Sequence, residues 1–146
     1  MDELDRKIIA LLQKDGRASN AGIARDVGVS EGTVRRRLKR LVQEEYIRVV
    51  ALPDPSKLGL DSEALIGVQV DPDKVDKVAR DLAMLDEIKW VTSTTGTYDV
   101  FTWATLPNAE ALGIFLRTKV GTIPGVRRTE TFVSLSQNKR WYGVVG

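Results

Sequence analysis

The residues of this sequence best suited to binding chemistry lie in one short stretch, SEGTVRRRLKRLV at positions 30–42. Its cations are Arg35, Arg36, Arg37, Lys39 and Arg40. A guanidinium donates in pairs to a phosphate or to the major-groove edge of guanine. Ser30 and Thr33 precede these cations, where hydroxyls and helix N-terminal amides suit phosphate oxygens. The stretch therefore has the donors needed to bind a polyanion.

Helical spacing sorts the side chains of this stretch. Val34, Leu38 and Leu41 recur at intervals of four and three, which predicts one buried helix face, and Ser30 is a good N-cap. A step of 100° per residue then places a second set outward: Gly32, Thr33, Arg36, Lys39 and Arg40. Arg35 and Arg37 flank the buried stripe. An ordinary solvated helix face is the alternative, but such faces usually mix both signs of charge, and only Glu31 opposes these cations.

Composition excludes several other kinds of site. The chain has no cysteine, so disulfides and thiolate metal sites are excluded, and no histidine, the commonest general base. Asp71, Asp73 and Asp76 are expected at a helix start, where acidic residues are favoured. No apolar run approaches the roughly 20 residues that span a bilayer, and the start has no signal-peptide pattern, so a cytoplasmic location is expected and no membrane partner. We expect no enzymatic activity.

Charge is divided unevenly along the chain. The net charge of the whole is +2, made up of +3 over residues 1–52 and −1 over residues 53–146. A local basic patch indicates a directed contact with polyanion more strongly than whole-chain charge does.

The first part of the chain predicts the elements that position the basic helix. Helices are expected over 3–15, over 20–27 and from Ser30 onward, and Gly28 ends the second of them. Residues 46–52, YIRVVAL, predict a strand. The second and third helices have the order and the short turn of a helix-turn-helix, whose second helix enters the major groove.

The second part predicts a different architecture. A linker with two prolines, one glycine and two aspartates covers 53–62 and separates a domain of residues 1–52 from one of residues 63–146. The expected order beyond it is strand, helix, strand, strand, helix, strand, at 62–70, 71–85, 87–95, 98–106, 107–120 and 126–136. This is the ferredoxin-like βαββαβ arrangement, with Pro72 near the first turn of its first helix. The fold class is α+β: a winged-type helix-turn-helix joined to a ferredoxin-like domain.

One face of the predicted sheet is left without helices. The strand at 98–106 places Phe101 and Trp103 on one side and Val100, Ala104 and Leu106 on the other. Because both sides are apolar, we expect a second subunit to cover the bare face.

The ordered segments resemble one known family. ELDRKIIALLQKDGRAS, IARDVGVSEGTVRRRLKRLVQEEYI, DPSKLG, TTGTYDV and TIPGVRRTET look like the Lrp/AsnC family of transcription regulators, over roughly residues 3–136. The resemblance implies a helix-turn-helix that binds double-stranded DNA and a C-terminal sensing domain of the RAM (Lrp) type. It also implies dimers paired through the C-terminal sheets, often assembled into octamers, and a small effector, usually an amino acid. No other cofactor is expected.

The resemblance also implies effector-site residues. The family's turn matches Gly96, Thr97, Tyr98 and Asp99, and a segment matching Thr131 to Ser134, which includes Phe132, lies near it. Thr97 stands where family members usually have an acidic residue. Asp99 could meet an ammonium group and the amides near Gly96 a carboxylate; alternatively, both residues only shape a hairpin.

Three classes of function fit some or all of these features. A sequence-specific regulator that responds to an effector explains both parts of the chain. A DNA-architectural protein of low sequence specificity differs from it in specificity ratio and salt dependence. A stand-alone amino-acid-sensing module leaves the basic helix unexplained. The tail QNKRWYGVVG matches no motif, and Trp141 and Tyr142 are expected to pack at the domain edge.

Overall fold

The computed structural model describes residues 1–140, in two compact units whose main parts are Met1–Leu52 and Pro53–Asn138. The fold class is the α+β one predicted: a three-helix unit followed by a unit with a four-stranded antiparallel sheet. The expectation for Trp141 and Tyr142 lies outside the described residues. Among the described residues, no helix is long and apolar enough to cross a membrane.

Three capped helices form the first unit: α1 (Glu3–Lys14), α2 (Asn20–Val27) and α3 (Glu31–Gln43). Asp2, Ser19 and Ser30 are their N-caps, and each side chain accepts a hydrogen bond from a first-turn amide. Gly28 ends α2 at φ 78°, in the left-handed region that glycine enters without steric cost. The short turn to α3 depends on this residue.

The core of the first unit is aliphatic. Its buried apolar members are Ile8, Ile9, Ile23, Ala24, Val34 and Leu41. Leu38, predicted in the core with Val34 and Leu41, is only half-buried, because it lies at the edge of the stripe that they define. Asp5 is fully buried, which the apolar periodicity did not indicate.

The strand predicted over residues 46–52 does not form. Within residues 1–140 no strand lies beside this segment, so its amides and carbonyls have no ladder to join, and Tyr46, Val50 and Leu52 are exposed. Ile47 instead packs against the helical core. The chain leaves α3 through Glu45 at φ 59°, a left-handed conformation unusual for a residue with a side chain.

The second unit begins with a short 3₁₀ helix at Pro55–Leu58, ended by Gly59, and continues into the sheet. The strands are β1 (Ser62–Val70), β2 (Ile88–Ser93), β3 (Val100–Leu106) and β4 (Val126–Val133). Their spatial order is β2-β3-β1-β4, and every neighbouring pair is antiparallel. This is the order of the predicted βαββαβ fold.

The helices of the second unit differ from prediction at their ends. α4 spans Val75–Ala83 and α5 spans Ala109–Phe115, continued by a π-helical turn over Leu116–Val120. α4 begins later than predicted because residues 71–74 form a turn, in which the Lys74 amide donates to the Asp71 carbonyl at 2.9 Å. Pro72 is therefore not in the first helical turn. Of the three aspartates placed there, only Asp76 is.

The two faces of the sheet are unlike each other. Val100, Thr102, Ala104 and Leu106 of β3 are buried, in the core that includes residues of α4 and α5. On the opposite face the strand register aligns one apolar row across all four strands: Trp90, Trp103, Leu65 and Phe132. Trp90 and Phe132 are each 45% exposed. The sidedness predicted for β3 is thus correct.

Candidate nucleic-acid interface and effector turn

The start of α3 is held by a pair of hydroxyls. Ser30 Oγ accepts from the Thr33 amide at 3.2 Å, and the Ser30 and Thr33 hydroxyls lie 2.8 Å apart. Gly32 lies between them and is half-buried, with room for a side chain that would meet only the end of Arg35. The N-terminus of α3 therefore presents two hydroxyl groups, which suit phosphate oxygens, beside the acidic Glu31.

The cations of α3 are not equivalent. Arg36 and Lys39 are exposed on the side opposite Val34 and Leu41, and neither has an ion-pair partner among residues 1–140. Arg35 is also exposed, with its Nη1 3.8 Å from Glu31 Oε1. At that distance and exposure the pair with Glu31 contributes little. These three side chains are available to a polyanion.

Arg37 and Arg40 instead turn toward the start of α1. Arg40 Nη2 donates to Asp5 Oδ2 at 2.6 Å, and Arg37 Nη1 donates to Asp5 Oδ1 at 3.3 Å and to Asp2 Oδ2. The sequence predicted an outward Arg40, but its guanidinium is directed at the buried Asp5. The physical reason is that a fully buried carboxylate needs charged donors close by.

Asp2 and Asp5 also build the cap of α1. Asp2 Oδ1 accepts from the Asp5 amide and Asp5 Oδ2 accepts from the Asp2 amide, each at 3.0 Å, which is a reciprocal capping box. The Asp5 amide first, and then the Arg37 guanidinium, lower the pKa of Asp2 to about 2. Asp2 is the N-cap that its place directly before the apolar run of α1 predicts. The spacing D-x-x-D is the sequence signal for the reciprocal bond from the Asp2 amide to Asp5.

The predicted effector turn is fixed to the end of β1. Gly96 has φ 104°, the Thr94 amide donates to the Asp99 carbonyl at 2.9 Å, and Gln69 Nε2 donates to the Thr97 carbonyl at 3.2 Å. The structure thus brings Gly96, Thr97, Tyr98 and Asp99 together in one anchored loop.

Asp99 has a definite structural contact. Its Oδ2 accepts from the Val70 amide at 2.8 Å, at the point where the pairing of β1 and β4 shifts register between Gln69 and Val70. The carboxylate satisfies an amide at an irregularity in the ladder. Asp99 therefore shapes this end of the sheet, whatever else it binds.

Tyr98 lies flat on the bare face of the sheet. A Cβ on Gly67 would come within 2.8 Å of the Tyr98 ring, so the ring occupies the space that glycine leaves. Tyr98 also makes an edge-to-face contact with Phe101, with ring centroids 5.4 Å apart.

The remaining predicted effector residues lie elsewhere. Phe132 is on the same bare face as Tyr98, opposite Leu65. The Ser134 amide donates to the Glu63 carbonyl, whereas the Asp99 amide donates to the Val68 carbonyl. Five residues of strand separate these two points, about 17 Å. One chain does not bring Ser134 to the turn. No cluster of three acidic residues able to hold a metal lies within the described part of the chain.

Comparisons with known proteins match both units. A family model described as an AsnC-type helix-turn-helix domain matches residues 1–42, and one described as an Lrp/AsnC ligand binding domain matches residues 63–143. An uncharacterized HTH-type transcriptional regulator of Pyrococcus furiosus is 42% identical over 142 residues, covering 97% of this chain and 95% of that protein.

Solved structures agree with the fold. AsnC of E. coli superposes with a TM-score of 0.89 at 28% identity, covering 97% of each chain. A transcriptional regulator of Neisseria meningitidis, solved as an L-Met complex, gives a TM-score of 0.92 at 24% identity, over 99% of this chain and 96% of that one.

Proposed function

This chain belongs to the Lrp/AsnC family of transcriptional regulators, and on that premise we propose that it is a sequence-specific DNA-binding protein that responds to a small effector. The family predicted from the ordered motifs is confirmed. Its members are transcriptional regulators rather than enzymes, as expected. We propose a cytoplasmic location.

The observation that supports α3 as the recognition helix is its free cationic face. Arg36 and Lys39 are exposed, three residues apart and opposite the buried stripe, so both reach the same side of the helix. Ser30, Gly32 and Thr33 would lie against the phosphate backbone. In a dimer, two copies of α3 would enter successive major grooves of a pseudo-palindromic site.

The test compares Arg36→Ala with Arg80→Ala, which removes the same charge from the other unit. A site selected from random DNA and an unrelated duplex serve as probes at fixed salt. If Arg36 contacts a base, binding to the selected site weakens by about 1–3 kcal/mol and the unrelated duplex is less affected. Equal losses on both duplexes make Arg36 a phosphate contact. An Arg36→Ala protein that binds like Arg80→Ala overturns the assignment of α3.

The proposed self-partner covers the bare sheet face. In the row of Trp90, Trp103, Leu65 and Phe132, the two end residues, Trp90 and Phe132, are exposed and the two middle ones are half-buried. No helix of the same unit covers this face. Burial of such a row is favourable by roughly 25 cal/mol per Å². We propose a dimer through this face, and a higher assembly such as an octamer.

A charge placed in the row tests the dimer. Trp90→Glu should shift the sedimentation coefficient toward that of a monomer. Ser93→Glu on the same strand faces the other way, since Ser93 pairs with Val100, and should leave the dimer intact. A Trp90→Glu protein that sediments like the wild type would exclude this face.

The proposed effector is an amino acid. The Neisseria relative was solved with L-Met, and the turn of this chain offers an acidic side chain beside backbone amides. Because Ser134 lies at the far end of β1 from the turn, a site that uses both needs residues of two chains. The effector would then act by binding one assembly more tightly than another.

The contact between Asp99 and the Val70 amide decides which variant suits the effector test. Asp99→Ala would remove both the charge and the acceptor of the Val70 amide, whereas Asp99→Asn keeps an acceptor and removes only the charge. Calorimetry with a panel of amino acids should show binding by the wild type and a loss in Asp99→Asn at unchanged thermal stability. Identical binding by both proteins would exclude Asp99 from ligand contact.

The DNA-architectural alternative predicts a different result. Such a protein binds all duplexes almost equally and owes its affinity to phosphate contacts alone. The ratio of specific to non-specific binding separates the two functions.

A further inference from the structure

The geometry points to Asp2 and Asp5 as positioning residues of the DNA-binding surface, which hold Arg37 back from phosphate and thereby limit non-specific affinity. This inference rests on the proposed role of α3. It concerns which cations of α3 are free to contact DNA, and which contacts keep the other cations from doing so.

Helical geometry separates the cations into two groups. We measure the angular position of each residue around the axis of α3, with Val34 at 0°. Arg36 and Lys39 then lie at about 200° and 140°, opposite the core, while Arg40 and Arg37 lie at about 240° and 300°. The flank at about 240–300° is the one that contacts the start of α1, because both arginines donate to Asp5. The exposed and held cations therefore occupy different sides of one helix.

The held group is electrically balanced. Two carboxylates, Asp2 and Asp5, face two guanidinium groups, Arg37 and Arg40, within hydrogen-bonding distance. Asp5 has no exposed surface and receives three donors, so its contacts with Arg40 and the Asp2 amide are structural. The four groups add no net positive charge to the surface that DNA approaches.

The contact between Asp2 and Arg37 is the exchangeable part. The Asp2 side chain is 53% exposed and the Arg37 side chain 27% exposed, so both can reach solvent without unfolding of the unit. A DNA phosphate would compete with the Asp2 carboxylate for the same Nη1 atom. Because Asp2 is negative, it also repels a phosphate that approaches this flank. Removal of its charge leaves Arg37 only the longer contact of 3.3 Å with Asp5 Oδ1, and should make Arg37 available to DNA.

The variant Asp2→Asn isolates this charge. Asparagine caps a helix as well as aspartate does, so the hydrogen bond from the Asp5 amide can persist. If Arg37 then neutralises one more phosphate, the slope of log Kobs against log salt steepens by about 0.9. With the two lines taken to meet at about 1 M salt, this corresponds to roughly eightfold tighter binding to a non-specific duplex at about 0.1 M salt. The ratio of specific to non-specific affinity should fall by a similar factor.

Three further variants complete the experiment. Glu3→Gln removes one negative charge from the neighbouring residue and should leave the slope near the wild-type value. Arg37→Ala alone should also leave the slope unchanged, because Arg37 does not neutralise a phosphate while Asp2 holds it. Asp2→Asn combined with Arg37→Ala should return to the wild-type slope.

Specific results would overturn the inference. The first is a salt slope of Asp2→Asn equal to that of the wild type, and the second is a Glu3→Gln slope that steepens as much as that of Asp2→Asn. The third is a double variant that keeps the steep slope of Asp2→Asn. The fourth is an Arg37→Ala slope that is shallower than that of the wild type. A failure of the proposed function looks different, because Arg36→Ala would then bind DNA as the wild type does. If only the inference fails, Arg36→Ala still weakens binding while the slope of Asp2→Asn stays at the wild-type value. The two failures are therefore distinguishable.

Discussion

Replacement of the buried Asp5 by asparagine tests how strongly α1 is tied to α3. The Asp5 carboxylate accepts hydrogen bonds from the Asp2 amide and from the guanidinium groups of Arg37 and Arg40, and no part of its side chain is exposed. The asparagine would keep the size of the side chain but present an NH₂ group to at least one of these donors. The change leaves a donor facing a donor in a buried place.

The magnitude follows from burial. Loss of one partner of a buried ion pair costs about 3–5 kcal/mol when the other charge stays buried. Arg40 keeps 41% of its side chain exposed and can turn to water, and asparagine retains one acceptor, so we expect about 2–3 kcal/mol. At about 1.4 kcal/mol for each factor of ten, the slowest amides of α1 and α3 should exchange roughly 30- to 150-fold faster.

Hydrogen exchange read by mass spectrometry suits this prediction because it resolves the two units. Peptides from β1 and β3 should keep their wild-type rates and serve as an internal control. Asp26→Asn, an exposed change on α2, should alter no peptide. If Asp5→Asn changes α1 and α3 no more than Asp26→Asn does, the buried carboxylate does not hold these helices together.

Three other perturbations have expected outcomes. Glu45→Gly should stabilise the first unit by about 0.5–1 kcal/mol in denaturant titration, because Glu45 has φ 59°, while Glu44→Gly, at φ −86°, should destabilise it. Gly67→Ala should cost about 1–3 kcal/mol in thermal unfolding by displacing the Tyr98 ring, and the cost should shrink when Tyr98 is also replaced by alanine. The pKa of Asp2 is lowered from 3.8 to about 2. The ionised Asp2 therefore stabilises the fold fully above about pH 4, and this stabilisation is lost as the pH falls through about 2. Unfolding of Asp2→Asn followed against pH should lack the loss of stability in this range. Reversed signs for the two glycine variants, additivity at Gly67, or matching acid profiles would each contradict the corresponding reasoning.

The sequence predicted a structural feature correctly where that feature depends on residues that are close together in the chain. The caps at Ser19 and Ser30, the turn at Gly28 and the alternation along β3 each depend on a few neighbouring residues, and the structure has them all. Features that depend on a distant partner were missed. Residues 46–52 have the composition of a strand, but within residues 1–140 they have nothing to pair with.

The cations of α3 show the same division between local and distant causes. Helical periodicity placed Arg36 and Lys39 outward, as the structure has them. It also placed Arg40 outward, because it contains no information about the carboxylate that α1 brings to that flank, 35 residues earlier in the chain. A periodic pattern gives the direction of a side chain, and a buried partner of opposite charge can override it.

The most direct test of the central claim is the ratio of affinities for a selected site and an unrelated duplex, measured with the wild-type protein at one physiological salt concentration. A sequence-specific regulator that reads bases through α3 should bind the selected site about 10³-fold tighter or more, and Arg36→Ala should reduce that ratio. A ratio near one, unchanged in Arg36→Ala, would contradict the account and favour an architectural protein that binds DNA through its phosphates.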